Sequence, residues 1–150
     1  MDVTLTLCLP RDHLSVPVAR RILRSSLEVL GFDRDDIADV ELAVTEATTN
    51  VLDHAHGDEE YEITAGLHGT TVVIEVIDKG SGFDGSELGL VDAPHAAEEG
   101  RGVQLMRALV DRLEFQSRPT EGTVVHLEKE LRVPPDAPVA KLVRSDSRPR

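Results

Sequence analysis

The first chemistry in this chain is carried by a glutamate and an asparagine four residues apart. Glu46 and Asn50 lie within residues 40–56, where apolar residues recur at helical spacing. Side chains four apart on a helix project from one face, one turn above each other, so both can address the same small volume. A carboxylate can accept a proton, and an amide oxygen can ligate a hard cation such as Mg2+. The pair alone also fits a polar stripe that faces solvent.

A second candidate group is the aspartate that follows a predicted strand. Asp78 shares the parity of Val72, Ile74 and Val76, so its carboxylate should point toward the face that helices cover. A carboxylate in that position needs a hydrogen-bond donor or a cation, because burying it unpaired is costly. The sequence therefore predicts a partner for Asp78 without identifying it.

Two glycine-containing segments flank a long stretch without periodicity. Gly80 and Gly82 follow Asp78 in an Asp-x-Gly-x-Gly pattern, where glycine permits positive φ and lets a ligand approach the backbone. Residues 100–102 read Gly-Arg-Gly and lead into the apolar stripe of a further helix. A glycine-rich turn that opens a helix is an anion site, since its N–H groups point outward. Residues 84–99 between the two segments should form a long loop that acts as a lid.

The remaining elements must position these groups. Alternating hydrophobicity predicts strands at residues 3–9, 61–67, 71–77, 113–117 and 122–131. The second and third of these strands form a hairpin across a turn at His68-Gly69. Helical spacing predicts a first helix that opens at Pro17 and stops at Gly31. The residues of that helix expected to face the core are Val18, Ile22, Leu27 and Leu30.

Composition limits the function classes. The 150 residues are 40% hydrophobic, which suits a single core, and the formal net charge is −12. That acidity disfavours nucleic acid and anionic membrane, leaving protein, small-molecule or metal partners. A lone cysteine, Cys8, excludes an internal disulfide framework. There is no apolar run near 18 residues and no basic-then-apolar amino terminus, so we expect a cytoplasmic protein.

Two further segments stand apart from the candidate chemistry. Arg20, Arg21 and Arg24 cluster on the first helix of an otherwise acidic chain. They form either a solvated face or a docking edge for an acidic partner, and the sequence leaves both open. Beyond residue 131 the chain is rich in proline with scattered charge. We therefore expect one domain over residues 1–131 and a disordered tail over residues 132–150.

Taken in order, these features resemble the GHKL ATP-binding family, which has the Bergerat fold. The residues that carry the resemblance are Glu46, Asn50, Asp78, Gly80, Gly82, Gly100, Gly102 and Thr123. Three spaced motifs in this order are far more specific than any one of them. The free-standing chain is similar, within that family, to the small bacterial anti-sigma-factor serine kinases. The resemblance implies an α+β fold, a two-layer α/β sandwich in which a mixed, mostly antiparallel sheet is covered by helices on one face.

The resemblance also implies a role for each matched residue. Asn50 would ligate Mg2+, and Glu46 would be the general base. Asp78 would accept a hydrogen bond from the adenine amino group of ATP, with support from Thr123. These roles agree with the helix-stripe and strand-parity arguments above.

The glycine motifs would complete the nucleotide site. Gly80 and Gly82 would shape the pocket for the base. The segment expected beside the phosphates consists of Gly100, Arg101, Gly102 and Val103. Arg101 would either contact the phosphates or face solvent, which the sequence does not decide.

The implied function is an ATP- and Mg2+-dependent protein-serine kinase. It would phosphorylate a serine on an anti-sigma-factor antagonist, sequester a sigma factor and form a homodimer, without direct contact to nucleic acid or membrane. The alternative is a docking module of the same fold that holds nucleotide but transfers nothing. Glu46 favours the enzyme, because a module that only binds has no need of a base.

Overall fold

The computed structural model describes residues 2–54, 60–78, 97–118 and 122–146. The strands within these ranges are β1 (Asp2–Pro10), β2 (Glu60–His68), β3 (Thr71–Asp78), β4 (Arg112–Arg118) and β5 (Gly122–Glu130). The helices are α1 (Ser15–Leu30), α2 (Arg34–His54), α3 (Ala97–Leu109) and α4 (Pro138–Asp146).

The five strands form one sheet in the order β1-β2-β3-β5-β4. Each neighbouring pair among these strands is antiparallel, so the expected mixed sheet is wholly antiparallel in the described part of the chain. Burial alternates along β3, with every second side chain buried, and α2 packs against β3 and β5 on the buried face. The predicted α+β sandwich is confirmed. None of the described helices is long and apolar enough to cross a membrane.

The central hairpin confirms the predicted strand pair and shifts its turn by one residue. His68 pairs with Thr71, so the two turn residues are Gly69 and Thr70, where the sequence predicted His68 and Gly69. Gly69 has φ +63°, a backbone conformation that glycine adopts without steric cost. The turn therefore starts at the residue that best tolerates its geometry.

The buried face of α1 differs from the predicted one. Leu27 faces the core as expected, whereas Val18 and Ile22 are 48% and 36% exposed. The residues that pack inward on this helix are Ser15, Val16, Ala19, Leu23 and Leu27. Both stripes have helical spacing and lie one position apart, so periodicity alone could not choose between them.

The described part of the C-terminal segment, residues 132–146, is folded against the body, contrary to the disorder predicted there. Residues 138–146 form α4, and Ala137 and Val139 are 5% and 0% exposed. The segment packs against Gly31, which ends α1 with φ +85°. A Cβ at Gly31 would lie 2.8 Å from Pro138 Cδ, closer than real Cβ contacts allow. A few apolar residues thus suffice to anchor a proline-rich segment, because a close-packed surface is available to receive them.

Candidate functional site

The candidate site begins with a pair of buried polar residues at one end of the sheet. Asp78 is the last residue of β3, and its backbone is paired with that of Thr123 near the start of β5. The two residues are 2% and 3% exposed. The burial of Asp78 predicted from strand parity is confirmed, and the neighbouring threonine shares its environment.

The partner that Asp78 requires is Arg11, which the sequence analysis missed. Arg11 Nη1 donates to Asp78 Oδ2 at 2.6 Å, and the two side chains are 14% and 3% exposed. Arg11 Nη2 also donates to the carbonyl oxygen of Leu52 on α2, at 3.3 Å. The available signal was weak: an arginine that directly follows the proline ending β1, at the sheet end where Asp78 lies.

The Thr123 hydroxyl is the second polar group of the pair. Its Oγ1 is buried and has no hydrogen-bond partner among the residues that the structure describes. A buried hydroxyl without a partner costs about 1–3 kcal/mol, so such atoms usually meet a ligand or an ordered water. The carboxylate accepts hydrogen bonds, and the hydroxyl can donate or accept one. Together they can bind the hydrogen-bonding edge of a nucleobase such as adenine.

Glu46 and Asn50 lie on α2, one turn apart and both partly exposed. Asn50 is two residues before Leu52, whose carbonyl oxygen accepts the Arg11 hydrogen bond. The Arg11 side chain therefore connects the last turns of α2, where Asn50 lies, to the Asp78 carboxylate. The C-terminal end of α2 and the C-terminal end of β3 therefore lie next to each other.

Helix α3 approaches α2 closely at Gly102. A Cβ at Gly102 would lie 2.9 Å from Glu46 Oε2, so the carboxylate occupies the space that a side chain would fill. This contact brings Glu46 and Gly102 together. It also gives this glycine a packing role that the sequence analysis did not anticipate.

The start of α3 corrects a second expectation. The helix begins at Ala97, so residues 100–102 lie within it and do not form a turn that opens it. Counted from the N-cap residue, the first four N–H groups of a helix lack an intrahelical acceptor, and these precede both Gly100 and Gly102. Any phosphate contact through the free N–H groups of this helix start would therefore use the backbone before Gly100.

The other predicted site residues divide into three groups. Arg101 is exposed on α3, while the Val103 side chain is 7% exposed and packs in the core. Val103 could thus contact a ligand only through its backbone. Gly80 and Gly82 lie outside the described residues, as does the predicted lid apart from residues 97–99, which belong to α3.

The donor set fits a magnesium ion that arrives with its nucleotide. Among the described residues, there is no group of three or more His, Cys, Asp and Glu side chains that could hold a metal. Mg2+ commonly keeps several waters and takes one or two protein ligands together with substrate phosphates. A single amide oxygen from Asn50 meets that requirement.

The arginine cluster of α1 is partly neutralised within the protein. Arg20 Nε lies 3.3 Å from Glu41 Oε1, and Arg24 Nε lies 2.9 Å from Glu28 Oε1. This face of α1 is thus a mixed-charge surface, and the solvated face and the docking edge stay the two interpretations of it.

The chain is similar in sequence to proteins of known families. A family model described as a histidine kinase-like ATPase domain matches residues 9–129. A serine-protein kinase RsbW from Bacillus velezensis is 31% identical, in an alignment that covers 82% of each chain. An anti-sigma F factor from Thermoanaerobacter sp. (strain X514) is 33% identical over 74% of this chain and 82% of the relative.

A solved structure supports the fold. The crystal structure of the RsbU and RsbW domains of a Mycobacterium tuberculosis protein superposes with a TM-score of 0.67. The alignment covers 88% of this chain at 23% identity, and the chain spans 34% of that longer protein chain. At this identity the similarity concerns the fold alone.

Proposed function

The chain belongs to the histidine kinase-like ATPase domain family, and on this premise we propose that it is an ATP-dependent protein-serine kinase that also acts as an anti-sigma factor. One observation carries the proposal from family to site. The buried Asp78 carboxylate is paired with Arg11 beside a Thr123 hydroxyl that has no partner among the described residues. This arrangement has the polarity needed to recognise the adenine of ATP.

Each candidate residue then has a chemical role. Asp78 accepts a hydrogen bond from the adenine amino group, and Thr123 contributes its hydroxyl to the same edge of the base. Asn50 provides an amide oxygen for Mg2+. When bound, ATP with Mg2+ supplies the phosphoryl group to be transferred. The start of α3 presents N–H groups for the phosphates, at the positive end of the helix dipole.

Glu46 is the proposed general base for the transfer. Its carboxylate lies against Gly102 on α3, one helical turn from Asn50. It accepts the proton of a serine hydroxyl on the protein substrate while the serine oxygen bonds to the γ-phosphorus. The bond from that phosphorus to the β–γ bridging oxygen breaks, and ADP leaves. This is consistent with phosphoryl transfer, where positioning and charge stabilisation dominate.

The proposed protein partners follow from the kinds of relative that the chain matches. A serine-protein kinase needs a protein that presents a serine, and we assign this role to an anti-sigma-factor antagonist. An anti-sigma factor needs a sigma factor, which the chain would sequester as a homodimer. A nucleotide-binding docking module without transfer is the competing function, and the position of Glu46 favours the kinase.

Replacement of Glu46 by glutamine tests the proposal. The amide keeps the size of the side chain but accepts a proton poorly, and general-base help is typically worth ~10²–10⁴-fold in rate. We expect Glu46→Gln to bind ATP like the parent while phosphorylating a purified antagonist at least ~100-fold more slowly. The measurements are calorimetry with ATP and Mg2+, and phosphoserine formation on the antagonist.

A matched control is Gln104→Ala, which changes an exposed residue on the neighbouring helix and should leave both quantities unchanged. Absence of phosphoserine with the parent protein would support the docking module. Equal transfer rates for parent and Glu46→Gln would remove Glu46 as the base while leaving the kinase assignment intact.

A further inference from the structure

We propose that Arg11 is a positioning residue of the nucleotide site and determines its selectivity for adenine. It would fix the Asp78 carboxylate relative to the carboxyl-terminal end of α2. The group that binds the base and the group that binds Mg2+ and the phosphates would then be held at a constant distance from each other. This inference rests on the proposed function, because it assumes that Asp78 receives the base.

The first step is the charge balance at Asp78. A carboxylate that is 3% exposed is strongly disfavoured without a counterion, and Arg11 Nη1 approaches its Oδ2 to 2.6 Å. The arginine itself is only 14% exposed, so water screens the pair weakly. Arg11 therefore supplies a counterion and a hydrogen-bond donor to the buried Asp78 carboxylate.

The second step is the contact between Arg11 and α2. Leu52 is two residues before His54, the last residue of α2. The last four carbonyl groups of a helix lack an intrahelical donor, and they carry the negative end of the helix dipole. Arg11 Nη2 donates to the Leu52 oxygen at 3.3 Å. The planar guanidinium thus serves two negative groups at once, which a lysine ammonium cannot do with the same geometry.

The third step joins these contacts into one function. Asn50, the proposed Mg2+ ligand, lies in the same terminal turns of α2 as Leu52. The base-recognising carboxylate lies on β3, and Arg11 bridges β3 and the helix. A displacement of about 1 Å between two groups that hold the substrate can reduce the catalytic rate ~100-fold. A side chain that fixes their separation can therefore affect the rate.

The fourth step concerns the choice of base. An ionised carboxylate can only accept hydrogen bonds. Adenine presents an amino donor at its 6-position, whereas guanine presents a carbonyl acceptor there. An Asp78 carboxylate that Arg11 holds in place therefore favours adenine and opposes guanine. Removing Arg11 should weaken the attraction to ATP and leave the already poor binding of GTP nearly unchanged.

The test compares ATP and GTP binding in the full chain with Mg2+. We expect Arg11→Met to lower ATP affinity at least ~10-fold, the loss of a charged hydrogen bond, and to lower the ATP-to-GTP affinity ratio by a similar factor. Arg11→Lys should retain part of the ATP affinity and part of the ATP-to-GTP affinity ratio, because lysine keeps the positive charge but lacks the planar guanidinium. In an Asp78→Asn background, Arg11→Met should change ATP affinity less than ~2-fold, because the two residues act as a unit.

Arg24→Met is the matched control, because Arg24 is also ion-paired but lies on the exposed side of α1. It should leave the affinity ratio unchanged. Should Arg11→Met fail to fold, Arg11→Lys and the Arg11→Met/Asp78→Asn double variant decide, because neither leaves the buried carboxylate without its arginine or lysine counterion.

Three results would overturn the inference. Unchanged ATP affinity in Arg11→Met would show that the pair is irrelevant to binding. Increased affinity would show that Arg11 competes with the base. Equal losses for ATP and GTP would leave Arg11 with a structural role alone. If the parent binds no ATP, the proposed function falls with the inference, whereas ATP binding that is equal in parent and variant removes only the inference.

Discussion

Several partly buried charged residues in this protein are held in specific pairs, as Asp36 and His126 illustrate. Burial raises the pKa of Asp36, but hydrogen bonds and charge from Arg132 outweigh it and leave that pKa lowered. On the opposite face of the sheet, His126 Nδ1 lies 3.2 Å from Glu75 Oε2, and His126 Nε2 lies 3.0 Å from Glu128 Oε1. A histidine whose two ring nitrogens both face carboxylates is best satisfied as an imidazolium, which donates from both.

This histidine predicts a pH dependence of stability. Burial lowers the pKa of His126, but its hydrogen bonds to Glu128 and Glu75 outweigh this, so the pKa lies above the ordinary 6.5. A raised folded-state pKa contributes stability that is complete below the unfolded value and is lost as pH rises through the folded value. We expect the stability difference between parent and His126→Gln, from urea unfolding, to be largest below pH ~6 and to shrink above pH ~6.5.

Glu114 is paired with His126 across β4 and β5 and adds a third carboxylate nearby. It should not change the direction in which the stability contribution of His126 varies with pH. Its pKa is lowered chiefly by a hydrogen bond from Arg112, so it stays ionised through this pH range. A stability difference that is constant from pH ~5.5 to ~8.5 would show that His126 does not titrate between these partners.

Among the elements, the contact between α2 and α3 joins the stability of a helix to the position of Glu46, the proposed general base. Glycine inside a helix usually costs about 1 kcal/mol relative to alanine, so Gly102 is unfavourable for α3 by itself. Its presence is explained by the Glu46 carboxylate, which lies where a Cβ would be. The glycine lowers the local stability of α3, and it allows the Glu46 carboxylate to lie against the backbone of this helix.

We expect Gly102→Ala to separate these two effects. The alanine should raise helix stability by up to about 1 kcal/mol, offset in part by the cost of moving Glu46. The new Cβ, 2.9 Å from Glu46 Oε2, would force the carboxylate aside. Displacing a base by about 1 Å can slow transfer by ~10- to 100-fold. Thermal unfolding and phosphoserine formation on an antagonist provide the two measurements.

Gln104→Ala is again the control variant, because it changes only the helix propensity at an exposed position of the same helix. A Gly102→Ala protein that transfers phosphate at the parent rate would show that the observed position of Glu46 is not needed for the reaction.

In the molecule as a whole, the candidate site and the C-terminal segment lie toward opposite ends of the sheet. Asp78 and Thr123 are paired at one end of β3 and β5, and Thr71 and Glu130 are paired at the other. The chain leaves β5 at this second end, and residues 137–139 then pack against Gly31. The packing of this segment is therefore separate in space from the proposed nucleotide site.

A chain that ends at Arg132 should accordingly be less stable and still bind ATP. It loses the burial of Ala137 and of Val139, which is fully buried, and burying one such aliphatic side chain is worth about 1.5–3 kcal/mol. We expect a loss of about 2–3 kcal/mol in the free energy of unfolding, measured with urea, and an ATP affinity close to that of the full chain.

The reference is a chain that ends at Asp146, which keeps all of α4 and should match the full-length protein. If ending the chain at Arg132 left the unfolding free energy unchanged, the packing of α4 would contribute nothing to stability.

Local patterns in the sequence determined the elements and the direction of several key side chains. Strand alternation was enough to predict the hairpin and the buried position of Asp78, because successive side chains on a strand must point to opposite faces. Helical spacing was enough to place Glu46 and Asn50 on one stripe of α2. Both inferences rest on backbone geometry that spans only a few residues.

Only the tertiary structure decided which distant segments meet. Arg11 and Asp78 are 67 residues apart, and no periodicity relates them. The same is true of Gly102 beside Glu46 and of Ala137 against Gly31. The stripe of α1 that faces inward was also chosen by packing, since two adjacent stripes have the same spacing. Such contacts depend on the close packing of whole elements, and short-range sequence patterns do not encode that packing.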